Sequence, residues 1–298
     1  TTNLETIVFN NETVSLIASS AGEEIQVNTN TIGQKSTPKV AVLSDDTFVV
    51  TWVSTNQASA NSHNDIYMQR FSKEGNKLGG EIRVNQCTPD DQRDPAISKL
   101  INGPNWEHGF VVVWSGGGSG CTGGDFISST EGASNVGQGV YGQVFDTQAQ
   151  IISQEMGIGQ DFLINDAHPG DQMYPDVVQA YDYSPSEEGG FYVVYQTSSG
   201  CSQGGMCIKG KLFDYRATDL LGEIQLSNRI TGHQKLPSIA NIVDDRGLMV
   251  VWEEESKDHI RGQQTTNILE EINNILSFSS GAYEFGDAHV AALEDSSY

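Results

Sequence analysis

Short apolar runs separated by polar turns cover most of the chain. The run VAVL at 40–43 is followed by the turn SDDT and then by FVVTWV at 48–53. Runs of β-branched and aromatic residues this short, bounded by Asp, Asn, Gly or Pro, are typical of strands and not of helices. The pattern therefore predicts an all-β fold.

The first two strands of this pattern occur four times. Each copy runs from a glutamine through a proline into an alternating apolar stretch, turns, and ends in a pair of valines and an aromatic residue. Self-similarity of this kind indicates a repeat architecture. The prolines, spaced by 57, 80 and 62 residues, are Pro38, Pro95, Pro175 and Pro237.

Two more strands complete each copy, and we name the four strands a, b, c and d in chain order from the proline. Strand c is represented by DIYMQRF, GVYGQVF, CIKGKLF and the weaker HIRGQQT, and strand d by EIRVN, DFLIN and EIQLSN. In the fourth copy NILSFS at 274–279 predicts strand d, although the apolar spacing there also fits a short helix.

The two ends of the chain share one further copy. Residues 288–298 match strand a and its turn in the first copy, residues 5–19 resemble strands b and c, and EIQVN at 24–28 resembles strand d. The chain therefore holds five units of about 60 residues each. The units span approximately 38–85, 95–165, 175–228, 237–279, and 288–298 joined with 5–28.

Four-stranded units that cannot bury their faces alone pack radially in β-propellers. The sequence therefore predicts one domain over residues 1–298, a five-bladed β-propeller of four-stranded blades. Its last blade would be closed by N-terminal strands b, c and d together with C-terminal strand a. Such a closure leaves no sheet edge free to pair with other chains.

The charge of the chain narrows the classes of partner. There are 39 acidic and 16 basic residues, which give a net charge of −23. A protein this acidic lacks the cations that neutralise phosphates, so we expect no nucleic-acid partner and no docking on anionic membranes. No apolar run approaches the ~18 residues of a membrane helix, so we expect no membrane insertion.

Four cysteines and one sequon suggest an extracellular protein. Cys87, Cys121, Cys201 and Cys207 form no CxxC pair, and an even number in an acidic chain fits an oxidising exterior. Four cysteines allow three pairings. In a propeller the long d–a and b–c loops share one face, the long-loop face, and all four cysteines fall on or beside it. This placement favours the disulfides Cys87–Cys121 and Cys201–Cys207. The sequon at Asn11 could carry a glycan in a secreted eukaryotic protein.

The skeleton PxVAxLxDxxFVVxW, followed by DIYxQRF and EIxVN, resembles the tandem repeats of large secreted adhesins and RTX-type surface proteins of bacteria. The resemblance covers most of the chain and is clearest over residues 34–85. It implies surface attachment or extracellular binding, with calcium as a possible cofactor. The glycine-rich nonapeptide calcium repeats that often accompany such proteins do not occur in this sequence.

Two sets of recurring residues are predicted to be structural. A buried amide can hydrogen-bond the backbone of a neighbouring blade, and aromatic rings can fill the space between blades. Ligand binding is the alternative for the glutamines. The glutamines are Gln34, Gln92, Gln172 and Gln234, and the aromatics are Trp52, Trp114, Tyr195 and Trp252.

Candidate binding residues lie outside the repeated pattern. Trp106, in the insertion NGPNWEHG, could stack on a sugar ring or cover the edge of its own blade. Acidic residues in the d–a loops could bind calcium through oxygen ligands, or could be solvated turn residues. The calcium candidates are Asp90, Asp91, Asp94, Asp166 and Asp171.

The sequence favours a non-catalytic extracellular structural or adhesive module. In one version the ring closes on itself and its long-loop face binds a glycan or a surface protein. In the other, the terminal strands exchange between copies and build a fibre.

The alternative is a glycoside hydrolase, whose chemistry needs two carboxylates about 5–10 Å apart. Asp94 and Asp176, at the start of inner strands, are the candidates. No GxSxG, P-loop or dinucleotide motif occurs, and the six histidines do not cluster.

Overall fold

The structure is a computed structural model. It describes residues 24–59, 62–86, 88, 90–100, 109–117, 137–151, 161–166, 170–180, 189–201, 205–227, 232–242, 247–254 and 260–263 with their side chains. It describes the backbone of residues 5–9, 12–16, 259, 264–265 and 271–279.

The described chain forms one hairpin and four four-stranded sheets, all antiparallel. The hairpin consists of β1 (Glu5–Phe9) and β2 (Glu12–Leu16). Sheet 1 consists of β3 (Lys35–Val42), β4 (Phe48–Thr55), β5 (Asn64–Phe71) and β6 (Lys77–Arg83). Sheet 2 consists of β7 (Gln92–Leu100), β8 (Gly109–Gly116), β9 (Gly139–Asp146) and β10 (Phe162–Leu163).

Sheet 3 consists of β11 (Gln172–Ala180), β12 (Gly190–Thr197), β13 (Cys207–Asp214) and β14 (Ile224–Gln225). Sheet 4 consists of β15 (Gln234–Ile242), β16 (Gly247–Glu254), β17 (His259–Thr265) and β18 (Glu271–Ser279). In each sheet the four strands pair in chain order, so strands a to d form a meander.

The all-β prediction and the four-stranded repeat unit are confirmed. NILSFS lies in strand β18 and not in a helix. The prediction is wrong at residues 24–28, which form no strand. A strand requires a ladder partner, and the described residues provide none for this segment. The predicted C-terminal strand a at 288–298 lies outside the described residues.

The b strands are buried along almost their whole length. Every residue of β8 and of β12 is buried, and β4 is exposed only partly and only at its two ends. A central strand covered on both faces needs a continuous apolar run instead of an alternating one. This explains why the Val-Val-aromatic segment is the best preserved part of the repeat.

Successive sheets pack face to face, and their inner a strands contact one another in chain order. Trp114 lies in the apolar cluster between sheets 1 and 2, Tyr195 in the cluster between sheets 2 and 3, and Trp252 in the cluster between sheets 3 and 4. Each of these rings faces the preceding sheet. The described fold is therefore propeller-like, with four sheets in sequence.

The repeated proline sits in a β-bulge. Strand a begins three residues before the proline, and not after it as predicted. The proline and the residue before it have no partner in strand b. The bulge keeps proline, which has no N–H, out of the ladder. The residue before each proline has a positive φ: Thr37 48°, Asp94 52°, Tyr174 53° and Leu236 50°.

A short polar side chain after strand d holds the start of strand c. Asn85 accepts a hydrogen bond from the Ile66 N–H at 2.8 Å, and Asn165 accepts one from the Val140 N–H at 2.7 Å. Ser227 does the same for Ile208 at 2.9 Å. The recurring Asn of the EIxVN segment therefore ties strand d to strand c where the ladder ends.

We predict that Asn165→Ala lowers the free energy of unfolding by about 1–3 kcal/mol, because the Val140 N–H would remain buried without its acceptor. Urea denaturation of both proteins measures the difference. Asn28→Ala is the matched control, since Asn28 is half-buried and its amide donates to the nearby Asn30 carbonyl. Equal losses in both variants would contradict the proposed tie.

Candidate functional site

The candidate site lies where the a strands begin, at the inner edge of the sheets. The bulges place non-repeating side chains there, and the d–a and b–c connections meet at the same end of each sheet. Long loops on one side of a rigid scaffold are where binding residues concentrate. Both carboxylates of the hydrolase alternative, Asp94 and Asp176, belong to these bulged segments.

Asp176 joins sheet 3 to sheet 4. Its Oδ2 accepts hydrogen bonds from the Ser238 hydroxyl and the Ile239 N–H, both at 2.9 Å, and its Oδ1 accepts one from the Val177 N–H at 3.0 Å. Burial raises the pKa of the Asp176 carboxyl, and these hydrogen bonds and the Lys39 charge offset the rise only in part. The carboxyl group therefore acts as an acceptor between two sheets.

Asp94 shares the same inner region. It is half-buried and hydrogen-bonds Ser115 of β8. Burial raises its pKa, against the opposing effects of Ser115, Arg93 and Lys39. Lys39, Asp94 and Asp176 lie on three a strands that contact one another in chain order, and the Lys39 charge lowers the pKa of both carboxyls against the effect of burial.

Ser115 also links the second bulge to the third. Its hydroxyl oxygen accepts a hydrogen bond from the Tyr174 N–H at 2.9 Å. Gln196 holds the equivalent position in the next sheet and accepts from the Leu236 N–H at 3.2 Å. Tyr174 itself is 37% exposed.

Two of the calcium candidates hold neighbouring sheets together. Asp91 accepts from the Asn64 N–H of sheet 1 at 3.1 Å, and Asp171 accepts from the Gln138 N–H next to sheet 2 at 3.0 Å. In the following sheet the Nδ1 of His233 takes the same place and accepts from the Met206 N–H at 3.2 Å.

The other calcium candidates do not form a ligand cage. Asp166 pairs with Lys211 at 2.7 Å, and Asp90 is exposed with φ 61°. No group of three or more His, Cys, Asp or Glu side chains among the described residues is arranged to hold a metal ion.

Sheet 3 carries buried lysines that the sequence reasoning missed. Lys209 pairs with Glu223 at 2.5 Å, and the Tyr195 hydroxyl donates to the other oxygen of Glu223. Burial and the neighbouring Glu223 raise the pKa of Tyr195 well above its ordinary value. The signal was present in CIKGKLF, where Lys209 replaces the tyrosine found in the first two copies.

Lys211 lies two residues further along the same strand. It contacts Asp166 of the preceding repeat and Asp219, both at 2.7 Å. Burial would lower the pKa of Lys211, but the two hydrogen-bonded carboxylates outweigh it and raise the pKa. The lysine thus bridges sheets 2 and 3, where the other copies have a glutamine.

The repeated glutamines occupy scaffold positions in three sheets. The Trp114 indole N–H donates to Gln92 Oε1 at 3.0 Å, and Gln172 accepts from the Asn165 amide at 3.2 Å. Gln234 is also buried. A Cβ at Gly116 would overlap the Gln92 amide, so glycine makes room for this contact.

The first repeat differs. Lys35, and not Gln34, pairs with strand b in the register of Gln92, and Gln34 is exposed. An ammonium group cannot accept a hydrogen bond, and the buried Trp52 indole N–H has no acceptor among the described residues.

The predicted disulfide Cys201–Cys207 is confirmed. Cys87, Cys121, Trp106 and Asn11 lie outside the described residues. The described part of the chain contains no helix with the length and apolar character that crossing a membrane requires.

No family model and no curated protein matches the sequence. Among solved structures, the chain is similar to a GH62 hydrolase in complex with xylotriose, with 9% identity and a TM-score of 0.41 over 79% of this chain and 66% of the other. The Kuenenia stuttgartiensis hydrazine synthase matches with 11% identity and a TM-score of 0.39 over 75% and 51%. The Dos1 propeller matches with 10% identity and a TM-score of 0.38 over 81% and 48%. The chain thus spans about half to two thirds of the length of these three structures.

We predict opposite pH effects for two carboxyls. Folding raises the pKa of Asp176, so its ionisation costs stability as the pH rises from 3.8 through the folded value. Over this pH range, the free energy of unfolding of the wild type should therefore fall relative to that of Asp176→Asn. Burial alone would raise the pKa of Asp219, but its hydrogen bonds with Lys211 and with backbone N–H groups outweigh burial and lower the pKa. The stability that ionised Asp219 contributes should therefore disappear as the pH falls below 3.8.

The difference in unfolding free energy between the wild type and each variant, measured by urea denaturation from pH 2.5 to 7, tests both signs. Asp219→Asn serves as the control for general acid effects, which would move both differences in the same direction. A flat difference for Asp176→Asn would contradict the role assigned to burial.

Proposed function

We propose that the chain is a non-catalytic extracellular binding module of the adhesive type. The observation that carries the proposal is that the described acids suited to catalysis or metal binding serve as acceptors between sheets. Asp176, Asp91 and Asp171 each accept backbone N–H groups of a neighbouring repeat. The Cys201–Cys207 disulfide supports an oxidising, extracellular setting.

The second part of the proposal is a fifth blade that precedes sheet 1. Val27 lies in the same apolar cluster as Trp52, just as Val84 lies in the cluster of Trp114. Residues 24–28 therefore occupy, relative to sheet 1, the place that a strand d occupies relative to the sheet after it. Val40 and Val42 on β3 are 62% and 63% exposed, as expected for a face that receives another blade.

The proposed ring closes within one chain. The segment before β3 is held on its own sheet 1, because Glu81 accepts from the Asn30 N–H at 2.9 Å and Lys77 donates to Thr29 at 2.9 Å. Only residues 17–23 separate this segment from the β1–β2 hairpin. A tether this short gives the hairpin a local concentration in the millimolar range, which favours its docking beside sheet 1 of its own chain.

Light scattering after size exclusion tests the closure. We expect a monomer of 32.3 kDa at all concentrations. Deletion of residues 1–20 should lower the unfolding temperature and promote aggregation, because it removes the hairpin that we propose docks on the apolar face of sheet 1. Adding Val40→Thr and Val42→Thr to the deletion should reduce the aggregation. Fibres of the full chain that the deletion abolishes would support strand exchange instead.

A glycoside hydrolase is the second candidate function. One observation favours it: Asp94 and Asp176 both have raised pKa values and both interact with Lys39. Our proposal predicts no turnover on a panel of aryl glycosides and polysaccharides. Turnover that both Asp94→Asn and Asp176→Asn abolish, and that the remote Asp219→Asn leaves unchanged, would replace the proposal with a hydrolase.

A further inference from the structure

We infer that Tyr174, Asp94 and Lys39 form a subsite for a neutral sugar ring at the inner end of the sheets. The inference rests on the proposed function, because it names the ligand class of that binding module. It involves residues at the starts of three a strands, from sheets 1, 2 and 3.

The backbone at this position repeats while the side chain does not. The residue before each proline has φ between 48° and 53°, yet none of the four is glycine or asparagine. Left-handed backbone is strained at Thr37, Tyr174 and Leu236, whereas aspartate tolerates it better. Hydrogen bonds from the Tyr174 N–H to Ser115 and from the Leu236 N–H to Gln196 hold two of these bulges. The four side chains are Thr37, Asp94, Tyr174 and Leu236. A constant backbone with changing side chains is how a scaffold varies a binding surface.

A shared hydroxyl group connects the aromatic ring residue to the acid. Ser115 accepts from the Tyr174 N–H at 2.9 Å and also hydrogen-bonds Asp94. One side chain of β8 thus holds both the Tyr174 backbone and the Asp94 carboxyl. The Tyr174 backbone is therefore positioned relative to the Asp94 carboxyl before any ligand binds, which reduces the entropy that binding would cost.

The three side chains offer complementary contacts. Tyr174 is 37% exposed and belongs to none of the apolar clusters of the described residues, so its ring can stack on the apolar face of a sugar. Half-buried Asp94 can accept hydrogen bonds from sugar hydroxyls, and exposed Lys39 can donate to them.

The charge of the protein selects among sugars. A net charge of −23 repels anionic glycans over the distances at which surface charges act. Among the described residues, the cations that act on Asp94 are Arg93 and Lys39, and Arg93 is already paired with Asp91. These residues therefore offer no cluster of unpaired cations for a sulfate or carboxylate. A neutral oligosaccharide is therefore the ligand that the charges fit.

The experiment uses the full chain on an array of neutral and anionic oligosaccharides, followed by calorimetry with the soluble neutral hit. Tyr174→Asn removes the ring but keeps a residue that tolerates positive φ, so the fold should persist. We expect it to weaken binding about tenfold or more. Tyr174→Phe keeps the ring and should bind nearly as the wild type does.

Tyr215→Ala is the matched control, because Tyr215 follows the end of β13 and is covered by the Arg216 guanidinium. It should leave the affinity unchanged. Thermal unfolding of each variant confirms that the fold is intact. Asp94→Asn and Lys39→Met should each weaken binding without changing the preference for neutral sugars.

If no neutral oligosaccharide binds at millimolar concentration, the subsite is overturned. The proposed non-catalytic module would still stand in that case, provided that the chain is monomeric and hydrolyses no sugar. Binding that Tyr174→Asn leaves unchanged would also overturn the subsite. Hydrolysis of the bound sugar would instead refute the non-catalytic function. These three readouts keep failure of the subsite and failure of the proposed function apart.

Discussion

The described structure depends on the burial of neighbouring sheets against one another, and sheets 2 and 3 each lie between two others. The b strands are apolar on both faces, so a single meander would expose half of its best-packed residues to water. Trp114, Tyr195 and Trp252 supply the same contact with the preceding sheet each time. Sheet 1 has an equivalent apolar cluster around Trp52, which Val27 contacts.

Polar groups at the sheet junctions make this packing specific. Apolar faces alone could slide past one another, whereas Asp176, Asp91 and Asp171 each accept a particular N–H of the neighbouring repeat. Asp176 links two sheets through its hydrogen bonds, and because burial raises its pKa it also makes the stability depend on pH. The same residues would look like a catalytic or metal-binding set if only their spacing in the sequence were considered.

The repeat made much of the fold predictable. The strand order, the four-stranded unit and strand β18 could be predicted from the short apolar runs. A continuous apolar run indicates a strand that is buried on both faces. Roles at the junctions were harder to predict. Lys35 takes the register of Gln92 because the first copy has one extra residue before its proline, and Lys209 and Lys211 find carboxylates that lie 14 and 45 residues away.

By itself, the sequence determined that the chain is an all-β repeat protein, since hydrophobic period and turn residues act locally. It also determined the net charge of −23. Only the tertiary structure decided which carboxylates accept hydrogen bonds from a neighbouring sheet and which side chains are exposed. Asp94, Ser115 and Tyr174 lie far apart along the chain and meet only because the a strands converge. Contacts of this kind depend on bulge geometry and sheet packing, which no local pattern encodes.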